Sequence, residues 1–260
     1  MEPVREEAFY NRSLERALQI LSAFNNNRQI LSLAQISDIL SLPRATVLRL
    51  CSTLVKYGFL KQDQQSRQYA LGLRLFELGS VVLSSFSLRR ISSPYISQLQ
   101  MKLGQTVFLG ILDNDEVLYL DKRDDPRNPI RFTSEMGIRR PPYWGMLGSV
   151  LMAFLPDNEI ERLLQKSPLT AFTKKSIIEK GEYLKWLNKV RLQGYAVDNE
   201  TAFEGINGVS APIRDFTGMV VGALGVGFIS SSVDSKGLKI IIKEVKGTTL
   251  AISNELGYIS

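Results

Sequence analysis

Residues 13–72 alternate between stretches with a helical repeat of apolar positions and short polar breaks. The first predicted helix begins near Ser13, which is suited to N-cap it, and ends at the three asparagines 25–27. The second begins at Ser32, where Gln35 completes a capping-box pattern. The positions that these two helices turn inward are Leu14, Ala17, Leu18, Leu21, Leu33, Ile36 and Leu40.

The third predicted helix, residues 43–56, has two faces of different chemistry. Its apolar face, which must be buried, consists of Val47, Leu50, Cys51 and Leu54. Its opposite face carries basic, hydroxyl and small side chains and no acid. A solvated helix face normally carries acid–base pairs, whereas an acid-free face suits the phosphates and base edges of DNA.

A break at residues 41–42 and a hairpin after the third helix are typical of a winged helix-turn-helix. Gly58 is placed to end the helix, and residues 59–62 and 68–71 predict two strands around a polar turn. The first turn of the second helix of such a motif meets the bases. We therefore expect base contacts from Arg44, Ala45, Thr46 and Arg49. The other residues that we expect to face DNA are Ser32, Ser52, Lys56, Lys61 and Arg67.

Ordered motifs along residues 13–260 resemble those of the IclR family of bacterial transcription regulators. They are SLERALQIL, LSLAQISDILSLPRATVLRLCSTLVKYGFL, QYALGLRLFELG, VLYLDKR, GYAVDNE, GVSAPIRD, VVGALGVGF and NELGY. The resemblance implies an α+β fold with a winged helix-turn-helix domain at 1–72 and a linker helix at 73–90. Residues 91–260 would form a GAF-like effector-binding and oligomerisation domain with a mainly antiparallel sheet.

The same resemblance implies how such a protein works. Members form homodimers, which can pair into tetramers, and bind double-stranded operator DNA, often as repressors. A small-molecule effector changes their operator affinity. We expect the effector to favour one spacing of the DNA-binding units through the linker at 73–90.

Beyond the linker, the apolar repeat predicts a mixture of strands and helices. The predicted strands are 106–112, 117–122, 130–134, 195–199, 208–215 and 219–229. The predicted helices are 94–102, 146–155, 159–164, 177–193 and 233–256. Asn207 and Gly208 are expected to form a turn, and the acidic residues 113–116 a solvated hairpin turn, because they lack the spacing of a calcium loop.

The resemblance places the effector pocket at the start of a helix near residues 137–148, a position that favours anions. The implied pocket residues are Tyr119, Tyr143, Trp144, Gly145, Met146, Leu147, Asp198, Gly208, Gly225 and Gly227. Whether Tyr143 and Trp144 line the pocket or pack in the core stays open. The family has a cysteine at the position of Gly208 and serines at those of Gly225 and Gly227. We expect the glycines to enlarge the pocket for an effector larger or more aromatic than a two- or three-carbon acid.

The charge distribution fits a nucleic-acid partner and, equally well, a solvated basic face. Residues 1–90 hold 12 Lys and Arg against 7 Asp and Glu, a net charge of +5, whereas the whole chain has +6. No apolar run is long enough to span a membrane, and no signal peptide is visible, so we expect a cytoplasmic protein without membrane contact.

Catalytic chemistry finds little support in this composition. The chain has no histidine and one cysteine, which excludes the usual zinc ligand sets and the commonest general base. The glycines 222–227 have the wrong order for a dinucleotide fingerprint and lie in a predicted strand. We expect no enzyme and no cofactor. The alternative is a GAF-like small-molecule-binding enzyme or scaffold whose N-terminal three-helix unit is an interaction module.

Overall fold

The computed structural model describes residues 11–25, 28–85, 87–124 and 136–259. The chain divides into two compact units, residues 1–85 and 86–260. The first is helical with a small hairpin, and the second is an α/β unit with an antiparallel sheet, so the predicted α+β class is confirmed.

The first unit has the predicted order of helices and strands. Its elements are α1 (Arg12–Ser22), α2 (Leu33–Leu40), α3 (Arg44–Lys56), β1 (Leu60–Gln62), β2 (Tyr69–Leu71) and α4 (Leu73–Ser85). The capping box at Ser32 is confirmed, because the Ser32 hydroxyl accepts from the N–H of Gln35 and the Gln35 side chain accepts from the N–H of Ser32. The break between α2 and α3 uses Ser41 in the left-handed conformation, with φ 52°.

Two details of α1 differ from the prediction. Its N-cap is Asn11 and not Ser13, because the Asn11 side chain accepts from the N–H groups of Ser13 and Leu14. The helix buries Ile20, whereas Leu14 and Leu18 are 59% and 55% exposed. Periodicity alone could not choose the inward face, because both faces of α1 carry apolar residues.

The predicted inner face of α3 is confirmed. Val47 and Cys51 are fully buried, and Leu54 is nearly so. Burial raises the pKa of the Cys51 thiol to about 11, so Cys51 stays protonated at neutral pH and packs as a small core residue.

The wing is confirmed as an antiparallel hairpin in which Leu60 pairs with Leu71. Tyr69 also pairs with Leu31, so a short third strand segment joins the wing to the loop before α2. Gly58, with φ +74°, ends α3. A Cβ on Gly72 would lie 2.0 Å from the carbonyl oxygen of Gly58. The hairpin can therefore close only with glycine at position 72.

The second unit is a six-stranded antiparallel sheet with helices on both faces. Its helices are α5 (Ser87–Leu103), α6 (Gly145–Ala153), α7 (Asp157–Lys166), α8 (Lys180–Gln193) and α9 (Ser235–Glu255). Its strands are β3 (Thr106–Asp113), β4 (Glu116–Arg123), β5 (Arg139–Arg140), β6 (Ala196–Asn199), β7 (Ile206–Arg214) and β8 (Val220–Ile229). The strand order is β5-β4-β3-β8-β7-β6, with α5 and α9 on one face and α6, α7 and α8 on the other.

The predicted start of a helix at Pro94 is wrong, because α5 runs from Ser87 through Pro94 to Leu103. The single helix predicted over 73–90 stays a prediction, because residue 86, between α4 and α5, lies outside the described residues. Proline removes one helical hydrogen bond, but Ile96 and Leu99 beyond it are buried, and their burial outweighs that loss.

Smaller differences lie at the sheet. Asn207 and Gly208 do not form a turn, because they pair inside β7 with strands on both sides. Strand β5 was not predicted, since its two residues are too short to carry a pattern. The predicted strand 130–134 lies outside the described residues.

The acidic turn between β3 and β4 is not simply solvated. The Asp115 carboxylate accepts hydrogen bonds from Arg162 and Lys166 of α7, which hold its pKa well below the usual range. Within the described ranges, no cluster of His, Cys, Asp or Glu has the arrangement of a metal site. No helix of these ranges is long and apolar enough to cross a membrane.

Candidate DNA interface and effector site

The outward face of α3 presents the residues expected to meet DNA. Its exposed or half-buried side chains include Arg44, Ala45, Thr46, Arg49, Ser52 and Lys56. No described acidic residue forms an ion pair with Arg44, Arg49 or Lys56. The positive charge of this face is therefore available to phosphates.

The beginning of α3 adds backbone donors to this face. Pro43 precedes the helix and provides no side-chain cap, and the first turn has no acid. The first N–H groups of a helix lack intrahelical partners and lie at the positive end of its dipole. Arg44 and Ala45 thus combine backbone donors with exposure, which suits contact with a phosphate or a base edge.

The wing presents two further basic side chains, Lys61 on β1 and Arg67 in the turn, and both are exposed. The turn is ordered by Asp63, whose carboxylate accepts from the N–H groups of Gln65 and Ser66 and from the Ser66 hydroxyl. These bonds, chiefly those from Ser66, lower the pKa of Asp63. Arg67 has φ 58°, which directs the chain back into β2.

One exposed residue of α3 was missed by the sequence reasoning. Leu48 is 46% exposed, next to Arg49. Its apolar side chain gave no signal for the outer face, because a leucine in a helical repeat is normally assigned to the core.

The second unit has a cavity of about 40 Å³ between α6 and the sheet. We name it the first cavity. The pocket residues expected from sequence that line it are Tyr119, Trp144, Gly145, Met146, Asp198, Gly208 and Gly227. Lining residues that were not expected are Phe108, Ala202, Phe203, Ile206 and Asn207. Phe203 lies five residues after Asp198 in the sequence, and this proximity was the one signal that could have predicted its place in the cavity wall.

A second cavity of about 30 Å³ shares Gly145 and Asp198 with the first. Tyr143 lines it, and the Tyr143 hydroxyl donates a 2.7 Å hydrogen bond to the carbonyl of Pro168. Trp144 packs edge-to-face against Phe172 and Phe203. Both aromatic residues are thus buried in the core and line a cavity.

Asp198 is the charged group that the two cavities share. Its side chain is almost fully buried, and Oδ1 accepts from the N–H and the hydroxyl of Thr201. Oδ2 has no hydrogen bond to any described residue and faces Gly145, where a Cβ would lie 3.2 Å away. Burial raises the pKa of Asp198, and the bonds from Thr201 oppose that rise.

The first turn of α6 faces this carboxyl group. Trp144 is the N-cap residue and provides no side-chain hydrogen bond, and Gly145 has φ 54°. The N–H groups of Gly145, Met146 and Leu147 donate to no acceptor of the described residues. Donors of the helix and an acceptor of Asp198 therefore meet at one place, which suits a ligand with an anionic or hydroxyl group.

The expected enlargement by glycines is wrong at two of the three positions. A Cβ on Gly208 would lie 2.4 Å from Sδ of Met146, and a Cβ on Gly225 would lie 2.9 Å from the same atom. The Met146 side chain therefore fills the space that these glycines leave. Leu147 is fully buried beside Gly225.

Comparison with known proteins connects both units to one family. The profile described as "Bacterial transcriptional regulator IclR C-terminal" matches residues 80–254, and "IclR helix-turn-helix domain" matches residues 13–64. The chain belongs to the IclR family.

This IclR-family chain is 33% identical to the HTH-type transcriptional regulator XynR of Escherichia coli (strain K12), over 95% of this chain and 97% of XynR. It is 30% identical to KdgR of the same organism, over 95% of this chain and 93% of KdgR. The crystal structure of an IclR transcriptional regulator from Alicyclobacillus acidocaldarius superposes with a TM-score of 0.85 at 25% identity, and the match covers 95% and 99% of the two chains.

These matches run through both units, and the relatives are named as transcriptional regulators. The IclR-family chain is therefore a DNA-binding transcriptional regulator with a helix-turn-helix domain and a C-terminal effector-binding domain.

Proposed function

We propose that residues 1–72 bind operator DNA and that residues 91–260 bind the effector and oligomerise. Residues 73–90 form the linker that connects these two parts. Arg44, Ala45, Thr46 and Arg49 read or approach the bases, and Ser32, Ser52, Lys56, Lys61 and Arg67 contact the backbone. The observation that carries this assignment is the acid-free outer face of α3, whose basic side chains have no ion pair with any described residue. The role is regulatory and not catalytic, and it belongs in the cytoplasm, where operator DNA lies.

Binding to DNA across a salt series tests this role. Fluorescence anisotropy is measured with promoter DNA from upstream of the gene for this protein and with random DNA. The affinity for both DNAs should fall steeply with salt, and the affinity for the promoter DNA should be higher. Equal affinity for the two DNAs at every salt concentration would contradict sequence-specific binding. Weak binding without salt dependence would contradict DNA binding itself.

We propose that the effector is a carboxylic acid larger or more aromatic than a two- or three-carbon acid. Its carboxylate would accept from the first N–H groups of α6 and from the protonated carboxyl group of Asp198, a form that the raised pKa of Asp198 favours. Its apolar part would contact Phe108, Tyr119 and Phe203. Affinity would then rest more on burial of apolar surface than on hydrogen bonds.

Thermal-shift measurements with glyoxylate, pyruvate, benzoate and 4-hydroxybenzoate test the effector class. We expect the aromatic acids to raise the Tm and the short acids to leave it unchanged. Stabilisation by glyoxylate or pyruvate, and by no larger acid, would contradict the proposal.

We propose a homodimer formed through the N-terminal unit, with tetramers formed by further pairing. Leu14 and Leu18 on α1 and Leu73 on α4 expose apolar surface that a second copy could cover. A dimer would present two helix-turn-helix motifs to two half-sites. Light scattering should give the mass of a dimer for the wild type and a lower average mass for Leu18→Glu. A monomeric wild type would contradict the proposal.

We propose that effector binding acts on the linker through β4 and the start of α5. Tyr119 of β4 lines the first cavity. Farther along the same strand, the carbonyl of Leu120 accepts from Arg89 Nε, and the buried carboxylate of Asp121 lies 3.6 Å from that atom. Movement of β4 would therefore displace the first turn of α5. Arg89→Ala should keep DNA affinity and effector affinity but reduce the effect of one on the other.

A further inference from the structure

Met146 lies directly over the backbone of two neighbouring strands. Gly208 of β7 and Gly225 of β8 face its thioether, and Cβ atoms there would lie 2.4 Å and 2.9 Å from Sδ. Real Cβ atoms essentially never show contacts under 3.0 Å, so the present position of the side chain requires glycine at both strands. The thioether thus occupies a shallow pocket with a floor of bare peptide backbone.

The main chain and the side chain of Met146 are held in different ways. The Met146 carbonyl oxygen accepts a 2.6 Å hydrogen bond from the hydroxyl of Ser210, which is fully buried. The side chain is only partly buried, and it lines the first cavity. Methionine is unbranched with several rotatable bonds, so Sδ can leave the glycines without moving α6.

The surface beneath the thioether has a defined shape and chemistry. Gly208 and Gly225 offer flat backbone, and Phe108, which pairs with Gly225, lies beside them in the sheet. Such a floor with an aromatic neighbour suits a flat apolar group. A two- or three-carbon acid has no group that could take the place of the thioether.

We propose that Met146 is a specificity-determining residue whose side chain is a displaceable plug of the effector site. An acid with a flat aromatic or similarly broad apolar group displaces the thioether and lies on the two glycines, while its carboxylate binds at the start of α6. Short acids bind without displacing it or do not bind. This inference rests on the proposed effector site and adds the residue that sets the size of its ligand.

A double-mutant cycle tests the packing without any ligand. Gly208→Ala places a methyl group where Sδ lies and should lower the Tm, and Met146→Ala in the same chain should restore most of that loss. Gly222→Ala is the matched control, because a Cβ there would lie 2.9 Å from Leu88 and not near Met146. Met146→Ala should leave the loss of Gly222→Ala unchanged. Additive effects of Gly208→Ala and Met146→Ala would overturn the inference.

Calorimetric titration with benzoate and pyruvate tests the specificity. Met146→Ala removes the need to displace the thioether, so its affinity for benzoate should rise about tenfold, with that for pyruvate unchanged. Met146→Leu keeps the volume and should show no gain. Unchanged benzoate affinity in Met146→Ala would overturn the role of Met146 and leave the effector site standing. Binding of neither acid to any of the three proteins would overturn both proposals.

Discussion

The hydroxyl of Ser210 donates a 2.6 Å hydrogen bond to the main-chain carbonyl of Met146. This bond joins the middle of β7 to the first turn of α6, and it brings Asp198 on the neighbouring strand opposite the uncapped N–H groups of the helix. One buried hydroxyl group therefore links the first turn of α6 to the sheet beside the proposed effector site.

Ser210→Ala should lower the free energy of unfolding of the second unit by about 0.5–1.5 kcal/mol, the net value of a typical hydrogen bond. The first turn of α6 would also be held less firmly, so affinity for an aromatic acid should fall. Urea unfolding and calorimetric titration measure the two effects. Lost stability with unchanged affinity would mean that the bond does not position the site.

Asp198→Asn should make the protein less sensitive to pH. Burial raises the pKa of Asp198 above the ordinary value of an aspartate, so the folded state binds its proton more tightly than the unfolded state. Its stabilisation is fully present below the unfolded pKa and is lost as the pH rises through the folded pKa. The difference in Tm between Asp198→Asn and wild type should therefore increase as the pH rises from the unfolded pKa to the folded pKa.

Asp215→Asn is the control with the opposite sign. The hydroxyl of Thr217 is the main cause that lowers the pKa of Asp215. Its contribution is present above the unfolded pKa and is lost as the pH falls through the folded pKa. The Tm of this variant relative to wild type should decrease with rising pH, and equal slopes for both variants would contradict the assignment for Asp198.

Arg49→Ala should weaken specific operator binding more than binding to random DNA. A side chain that reads a base contributes about 1–3 kcal/mol of discrimination, which is lost with the guanidinium group. Anisotropy titrations with both DNAs measure it. Lys239→Ala, an exposed charge on α9, gives the same change in net charge and should have no effect. Equal loss on both DNAs would move Arg49 to the backbone contacts.

Lys61→Ala should weaken binding to both DNAs to a similar degree. If Lys61 neutralises one phosphate, the slope of log affinity against log salt should decrease by about 1. A loss confined to the operator would instead mean that the wing reads sequence.

Ser32→Ala should reduce the stability of the first unit, because it removes the hydroxyl that accepts from the N–H of Gln35. Loss of such a cap costs about 1 kcal/mol, and Ser32→Gly should cost only a few tenths. Thermal unfolding compares the two variants. If they are equally stable but both lose DNA affinity, the hydroxyl serves DNA contact and not capping.

The DNA-binding unit could be predicted closely because its signals are local. Ser32 and Gln35 cap a helix within one turn, Gly58 ends another, and the inner face of α3 follows from periodicity along thirteen residues. The inward face of α1 could not be predicted in this way. Leu14 and Leu18 have the same helical spacing as buried residues, and only packing against α2 and α3 decides that Ile20 is inside.

The effector site stays a prediction, although the structure brings most of its expected residues together at one cavity. The place of Asp198 and the start of α6 in one site came from resemblance to a family, and the cavity lies there. The space above Gly208 and Gly225 differs from the prediction, because the Met146 side chain fills it. The space beside a glycine depends on which side chain reaches it from another element. Met146 is 62 residues from Gly208 in sequence, and no local pattern reports that contact.

Local sequence therefore specifies the helix caps, the wing and the charged outer face of α3, because their causes lie within a few residues. The continuation of α5 through Pro94, the pairing of Asn207 and Gly208 inside β7, and the placement of Met146 over two glycines depend on the folded chain. Each is decided by burial or strand pairing between distant segments, whose free energy exceeds the local preference of the residues involved.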